Sequence, residues 1–330
     1  MIRWLGLLST FGVAVFLLLP RGSSEIIFKP RPAAELEQLM LGAFVAARPA
    51  MLQLRSLRVS SDTTSIYSQT GRASGFLISD DGYALTAYHA VIGIDRLEVL
   101  TTKQELLPAR VIGFDESRDL ALIQVLAKRR LEFLALETEA QAKINDPIVE
   151  IGNSGNDFIQ PRYGVVQGYL QNNELLIPTR LMLSDVPISP GDSGGAVVNF
   201  AGRAIGIGIG YAQSTTSRVS YLVPFFGLQS WIKQLQAGAK LLLPGIGLRV
   251  AQNQEFQGVD VDYIRPDSPA AQAGMRTDPS RPLRLLEIDG QIIETLRDYN
   301  RLVRRKKIGE RIVVKFTQQN RSQTLTLRTQ

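Results

Sequence analysis

The sequence predicts a mainly β fold: two β-barrels of roughly six strands each, followed by a smaller β-rich domain. Three observations carry that reading. From Ala50 onward, short apolar runs alternate with turn residues, as strands of an all-β domain require. Among them, Ser189-Pro190-Gly191-Asp192-Ser193-Gly194-Gly195 is followed by Val197 to Phe200, Ala201-Gly202 and Ala204 to Ile209, which reads as strand, turn, strand. After residues 236–240 the chain changes character and opens a second set of glycine turns and strands.

Residues 1–20 come first. Trp4 to Leu19 is uncharged, closed by Pro20 and Arg21, and just reaches the lower end of membrane-spanning length. It reads as an anchor helix or a signal segment. Leu18-Leu19-Pro20-Arg21 is a poor cleavage site, which favours the anchor. Residues 21–32 form a polar, proline-containing linker. Ala33 to Ala47 places Leu36, Leu39, Met40, Phe44 and Val45 near one helical face, and Arg48-Pro49 ends it.

Strands are expected at Met51–Leu54, Ser74–Ser79, Tyr83–Ala87, Leu97–Leu100, Arg110–Phe114 and Leu120–Leu126 for the first barrel. Ser60 to Thr70 reads as a loop, and Asp80-Asp81-Gly82 as a turn. Ile148–Ile151, Gly164–Val166 and Leu175–Ile177 belong to the second barrel, closed by a helix from Phe225 to Leu235. In the last domain, Leu248 to Gln252 is a strand, Thr295 to Val303 a helix, and Glu310–Phe316 and Thr324–Leu327 closing strands.

Composition narrows the chemistry. The chain has 330 residues, no cysteine and one histidine, His89. Disulfides, thiolate sites and cysteine nucleophiles are excluded, and a histidine-rich zinc site is implausible. Neither a metal nor an organic cofactor is expected. The net charge of +6 is concentrated late: residues 241–330 carry 15 Lys/Arg and 10 Asp/Glu. The run Arg304-Arg305-Lys306-Lys307 ends a helix and reads as a solvated face, with no groove-reading pattern for nucleic acid beside it.

A serine among glycines offers its hydroxyl on a tight turn, with backbone N–H groups free to meet a developing negative charge. The spacing G-x-S-x-G also describes the nucleophile elbow of α/β-hydrolases. Chain order decides against that. The lone histidine precedes the serine, and no helix follows it. His89, Asp119, Ser193 is the order of chymotrypsin-like proteases.

Thr86-Ala87-Tyr88-His89-Ala90-Val91, Arg118-Asp119-Leu120-Ala121-Leu122 and Ser189 to Gly195 resemble the three triad blocks of trypsin-like serine proteases. Asp80-Asp81-Gly82-Tyr83-Ala84-Leu85-Thr86 and Ile151-Gly152-Asn153 resemble the HtrA/Deg branch of that family. Pro244 to Val250, Asp267 to Gly274 and Leu286 to Gln291 resemble a PDZ domain; residues 276–285 depart from it, with Thr277-Asp278-Pro279-Ser280-Arg281-Pro282 replacing the usual compact turn. The resemblance covers residues 35 to 330. It implies a trypsin-like double-barrel protease over residues 33–236 and one PDZ domain over residues 241–330, a layout like that of the DegS-type regulatory proteases.

The resemblance implies roles. His89 is general base and acid, Ser193 nucleophile, and Asp119 the group that orients the imidazole. The N–H groups of Gly191 and Ser193 form the oxyanion hole. Asp192 stands where HtrA relatives usually have Asn. Pro187, Ile188, Ile209, Gly210 and Tyr211 line the S1 pocket. Pro187 falls where a charge-selecting aspartate would sit, so cleavage after Lys or Arg is disfavoured and small or medium apolar residues are preferred. Gly245, Ile246, Gly247 and Leu248 hold a peptide's terminal carboxylate, and Leu248 to Gln252 pairs with the peptide. Expected partners are unfolded or tagged protein substrates, C-terminal peptides and two further copies in a homotrimer. The expected location is the cell membrane, with the protease on the periplasmic side. Two other readings stay open: a quality-control protease that needs no activating peptide, and a catalytically silent peptide-binding scaffold.

Overall fold

Strand after strand, inward apolar positions alternate with outward polar ones, and the sheets close accordingly. In β4 (Arg96–Thr101), Leu97, Val99 and Thr101 are buried while Arg96 is exposed. The computed structural model describes residues 33–59, 67–154, 158–171, 180–213, 218–253, 258–277, 283–318 and 321–330. The expected anchor at residues 1–20, the linker at 21–32 and the run Leu175–Ile177 lie outside the described residues. Among the described residues, no helix is long and apolar enough to cross a membrane.

Helix α1 (Ala33–Ala47) comes first and packs Met40, Ala43 and Ala47 into the main core. The first barrel comprises β1 (Met51–Val59), β2 (Tyr67–Leu77), β3 (Tyr83–Ala87), β4, β5 (Leu106–Asp115) and β6 (Leu120–Val125). β5 pairs with both β4 and β6, which closes the ring. Leu52, Leu54, Phe76, Leu85, Leu120 and Leu122 fill it. β2 begins at Tyr67, inside the stretch expected to be loop, because its polar residues pair with the end of β1.

The second barrel comprises β7 (Pro147–Gly152), β8 (Gln160–Gln171), β9 (Arg180–Ser184), β10 (Ala196–Val198), β11 (Ala204–Gln213) and β12 (Arg218–Pro224). It closes in the order β7-β8-β9-β12-β11-β10 around Ile148, Val166, Met182, Val197 and Leu222. Helix α2 (Gln229–Gln236) starts later than the expected Phe225, since Gly227 at φ +77° makes a turn first.

The junction also differs from a plain linker. β13 (Lys240–Leu241) pairs in parallel with Phe114 and Asp115 of β5. Beneath it, Trp231 of α2 donates its indole N–H to Asp115 Oδ2 at 2.8 Å, and both residues are buried. Trp231→Phe should lower stability by about 1.5–3 kcal/mol, the worth of a hydrogen bond to a charged group, read from urea unfolding. An unchanged midpoint would show that the other donors to this carboxylate, Arg118 and Ser117, suffice.

The third body holds β14 (Leu248–Gln252), β15 (Val259–Ile264), α3 (Pro269–Gln272), β16 (Leu283–Ile288), β17 (Gln291–Ile292), α4 (Leu296–Arg304), β18 (Arg311–Gln318) and β19 (Arg321–Arg328). Its sheet runs β14-β15-β16-β18-β19, with β17 paired to β16. Ile246, Val259, Leu285, Tyr299, Val314 and Phe316 form its own core. Thr295 and Asp298 cap α4 reciprocally. Lys306, from the basic run, pairs with Asp289 at 2.8 Å and Glu310 at 3.0 Å.

Candidate active site

The three sequence-predicted residues come from both barrels. His89 sits on a short 3-10 turn, Tyr88–Ala90, directly after β3. Asp119 precedes β6, and Ser193 lies on the loop before β10. The pairing of β3 with β6 brings the first two together, Ala87 facing Leu120 across the sheet.

Their contact is extensive. His89 Nδ1 lies 2.6 Å from Asp119 Oδ2, and the backbone N–H of His89 donates to Asp119 Oδ1 at 2.8 Å. Tyr88 N–H donates to the Asp119 carbonyl at 2.9 Å. Asp119 holds φ at +54°, a conformation that costs about 1–2 kcal/mol outside glycine, so the clasp holds a strained residue in place. The carboxylate is buried, whereas the imidazole side chain is 45% exposed.

The Asp119 charge raises the His89 pKa above 6.5, outweighing the opposing effect of burial. A charged imidazole is therefore favoured in the folded protein. Its contribution to stability is complete below about pH 6.5 and is lost as pH rises through the raised value. The neutral form needed to accept a proton appears over the same rise, so stability and proton-accepting capacity move oppositely with pH. An imidazole proton resonance that titrates at or below 6.5 would contradict this.

Ser193 is held through its backbone. Ser74 N–H donates to the Ser193 carbonyl at 2.8 Å, and Gly194 N–H to Gly208 at 2.7 Å. Gly194 has φ +89°, and a Cβ there would lie 2.1 Å from the Ser74 carbonyl oxygen, so the two barrels meet here with no room for a side chain. Gly191 has φ +103°, and its carbonyl accepts from Ser74 Oγ at 2.8 Å. The N–H groups of Gly191 and Ser193 make no hydrogen bond among the described residues, nor does the Ser193 hydroxyl. The structure thus brings His89 and Asp119 into direct contact but shows no bond between His89 and Ser193. Such bonds are commonly looser without substrate.

The remaining expected site residues separate into groups. Ile188 is 1% exposed and packs its side chain in the second barrel's core. Pro187 is exposed. Ile209 instead shares a cavity of about 390 Å³ with His89, Asp119 and the Gly245–Leu248 loop of the third body. Tyr211 lies under the Arg218 guanidinium, 4.1 Å from its ring centre. Arg218 also donates to the Ile188 carbonyl.

Sequence reasoning missed Arg218, and it missed the buried Glu150 and the half-buried Arg162, which lie behind the serine loop. Asn153 gave a signal only as part of a quoted motif. Its Nδ2 reaches Leu52 O at 3.1 Å and Ser74 Oγ at 3.0 Å, joining the barrels. Among the described residues, no group of acids and histidine is arranged to hold a metal.

Comparison with known proteins adds relatives. Residues 73–207 match a trypsin-like peptidase domain. The chain is 24% identical over 314 residues to the chloroplastic Protease Do-like 1 of Arabidopsis thaliana, covering 88% of this chain and 72% of that one. It is 30% identical over 250 residues to a probable periplasmic DegP-like serine endoprotease of Pseudomonas fluorescens, covering 72% of this chain. It spans about half of that relative, 51% of its length. Two solved structures share the fold over 88% of the chain: the HtrA-type protease AlgW with a decapeptide, at TM-score 0.54 and 21% identity, covering 98% of that chain, and a serine endoprotease from Yersinia pestis, at 0.53 and 22%, covering 97%.

Proposed function

We propose that the chain is a serine protease of the HtrA/DegP kind, with a trypsin-like peptidase domain over residues 73–207, that cleaves unfolded or tagged extracytoplasmic proteins through an acyl-enzyme on Ser193. The observation that carries the triad is the His89–Asp119 contact, 2.6 Å between imidazole and buried carboxylate. His89 takes the Ser193 proton as its oxygen attacks the scissile carbonyl, then returns it to the leaving amine. Asp119 fixes the ring and favours the imidazolium that forms. The N–H groups of Gly191 and Ser193 meet the oxyanion. Water then releases the acyl group.

The second half of the proposal is regulation. The third body is read as a PDZ domain whose Gly245–Leu248 loop takes a peptide C-terminus, with β14 as the pairing edge. Two features support it: the loop and His89 border one cavity, and Glu116, two residues beyond Phe114, accepts from Leu243 N–H at 3.0 Å. A bound peptide thus has a short path to the catalytic side. The Arg218 charge beside Tyr211 supports selection against Lys and Arg before the scissile bond. Leu41 and Val45, one turn apart on α1 and 51% and 61% exposed, support a homotrimer contact. The periplasmic face of the cell membrane remains the proposed location.

A fluorophosphonate probe tests the reading. It should label the protein once, at Ser193 by peptide mapping, and C-terminal peptides should change the labelling rate. Absence of labelling with and without peptides would favour the silent scaffold instead.

A further inference from the structure

Behind the serine loop lies a buried ionic cluster that the triad does not use. Glu150 of β7 and Arg162 of β8 face each other across the antiparallel pair. Glu150 is 0% exposed, neither of its carboxylate oxygens has a hydrogen-bond partner, and Arg162 Nη1 lies 3.8 Å from Oε2. The same Nη1 lies 3.1 Å from Asp192 Oδ1, as an ion pair rather than an aligned hydrogen bond. Asp192 is the residue between Gly191 and Ser193, and it too is 0% exposed.

The Asp192 carboxylate is a brace. Oδ1 accepts from Ser154 N–H at 2.8 Å, and Oδ2 accepts from Ser189 N–H at 2.8 Å. Arg162 also donates to the Ser154 hydroxyl. Two glycines make room for the acids: a Cβ on Gly152 would lie 2.4 Å from Asp192 Oδ1, and one on Gly195 would lie 2.3 Å from Glu150 Oε1. A carboxylate so enclosed needs a counter-charge, and Arg162 is the cation that reaches it.

We propose that Arg162 is a positioning residue for catalysis: its charge holds the Asp192 carboxylate, and that carboxylate sets the Gly191 and Ser193 N–H donors. The inference rests on the serine-protease reading and deepens it. One cation serves two acids. Burial and the Asp192 charge push the Glu150 pKa well above the ordinary carboxylate range, against the pull of Arg162, and those two residues are the charged groups facing it. Arg162 lies nearer Asp192, at 3.1 Å against 3.8 Å for Glu150, and a protonated Glu150 leaves the guanidinium to Asp192. An ionised Glu150 competes for that guanidinium and loosens the brace.

The test uses the full chain, an unfolded protein substrate, and hydrogen exchange across residues 189–195. Arg162→Met should lower kcat about 100-fold, the scale of a lost oxyanion donor. KM should stay within about two-fold, since the interaction acts in the transition state. Adding Asp192→Asn to Arg162→Met removes the orphaned charge and should restore roughly ten-fold of the loss. Exchange of the loop should quicken in the single variant and recover in the double. In Glu150→Gln the alkaline fall of kcat should disappear. Full activity in Arg162→Met, or a double variant no better than the single, would overturn the proposal. If the unmodified chain cleaves nothing, the protease reading fails, and the exchange of the loop still decides the role of Arg162.

Discussion

Ser193→Ala is expected to lower kcat by about 10⁶-fold, the scale at which loss of an activated serine nucleophile abolishes acyl transfer. The structure makes this substitution clean. The Ser193 hydroxyl makes no hydrogen bond among the described residues, and the loop is held by backbone groups: Ser74 N–H on the Ser193 carbonyl and Gly194 N–H on Gly208. The thermal midpoint should therefore not move while cleavage of an unfolded substrate vanishes. Retention of even a few per cent of activity would assign the chemistry to another group.

Asp119→Asn is expected to lower kcat by about 10⁴-fold. The amide keeps an oxygen for the His89 backbone N–H, so the turn Tyr88–Ala90 should stay in place. Its NH₂ now faces Nδ1, which selects the tautomer unable to take the serine proton. The imidazole pKa, raised by the Asp119 charge, should fall toward its ordinary value. With a single histidine in the chain, one resonance reports that shift without assignment. A large loss of rate with an unmoved titration would mean that Asp119 acts through the fold and not through charge.

Much of this was readable in the sequence because it is local. The strand Leu248–Gln252 has the same bounds in the structure, and α1 spans the stretch its apolar spacing marks. The order His89, Asp119, Ser193 is a property of the chain, not of its packing. What stayed hidden depends on registry between distant segments. Glu150 sits inside the apolar run Ile148–Ile151 and looks like the outward residue of a half-buried strand. Only barrel closure turns it inward against Gly195. Arg162 gives no local sign that it lies beside Asp192, thirty residues onward.

The two residues of β13 have a mechanical meaning. A flexible tether would let the third body drift through a continuum of orientations beside the barrels. Lys240 and Leu241 are instead zipped to Phe114 and Asp115, next to the strand that leads into Asp119. The body cannot swivel freely about this point while the zip is shut. Larger motion must begin by releasing it, so the pairing of Lys240 and Leu241 sets a threshold for any reorientation of the third body.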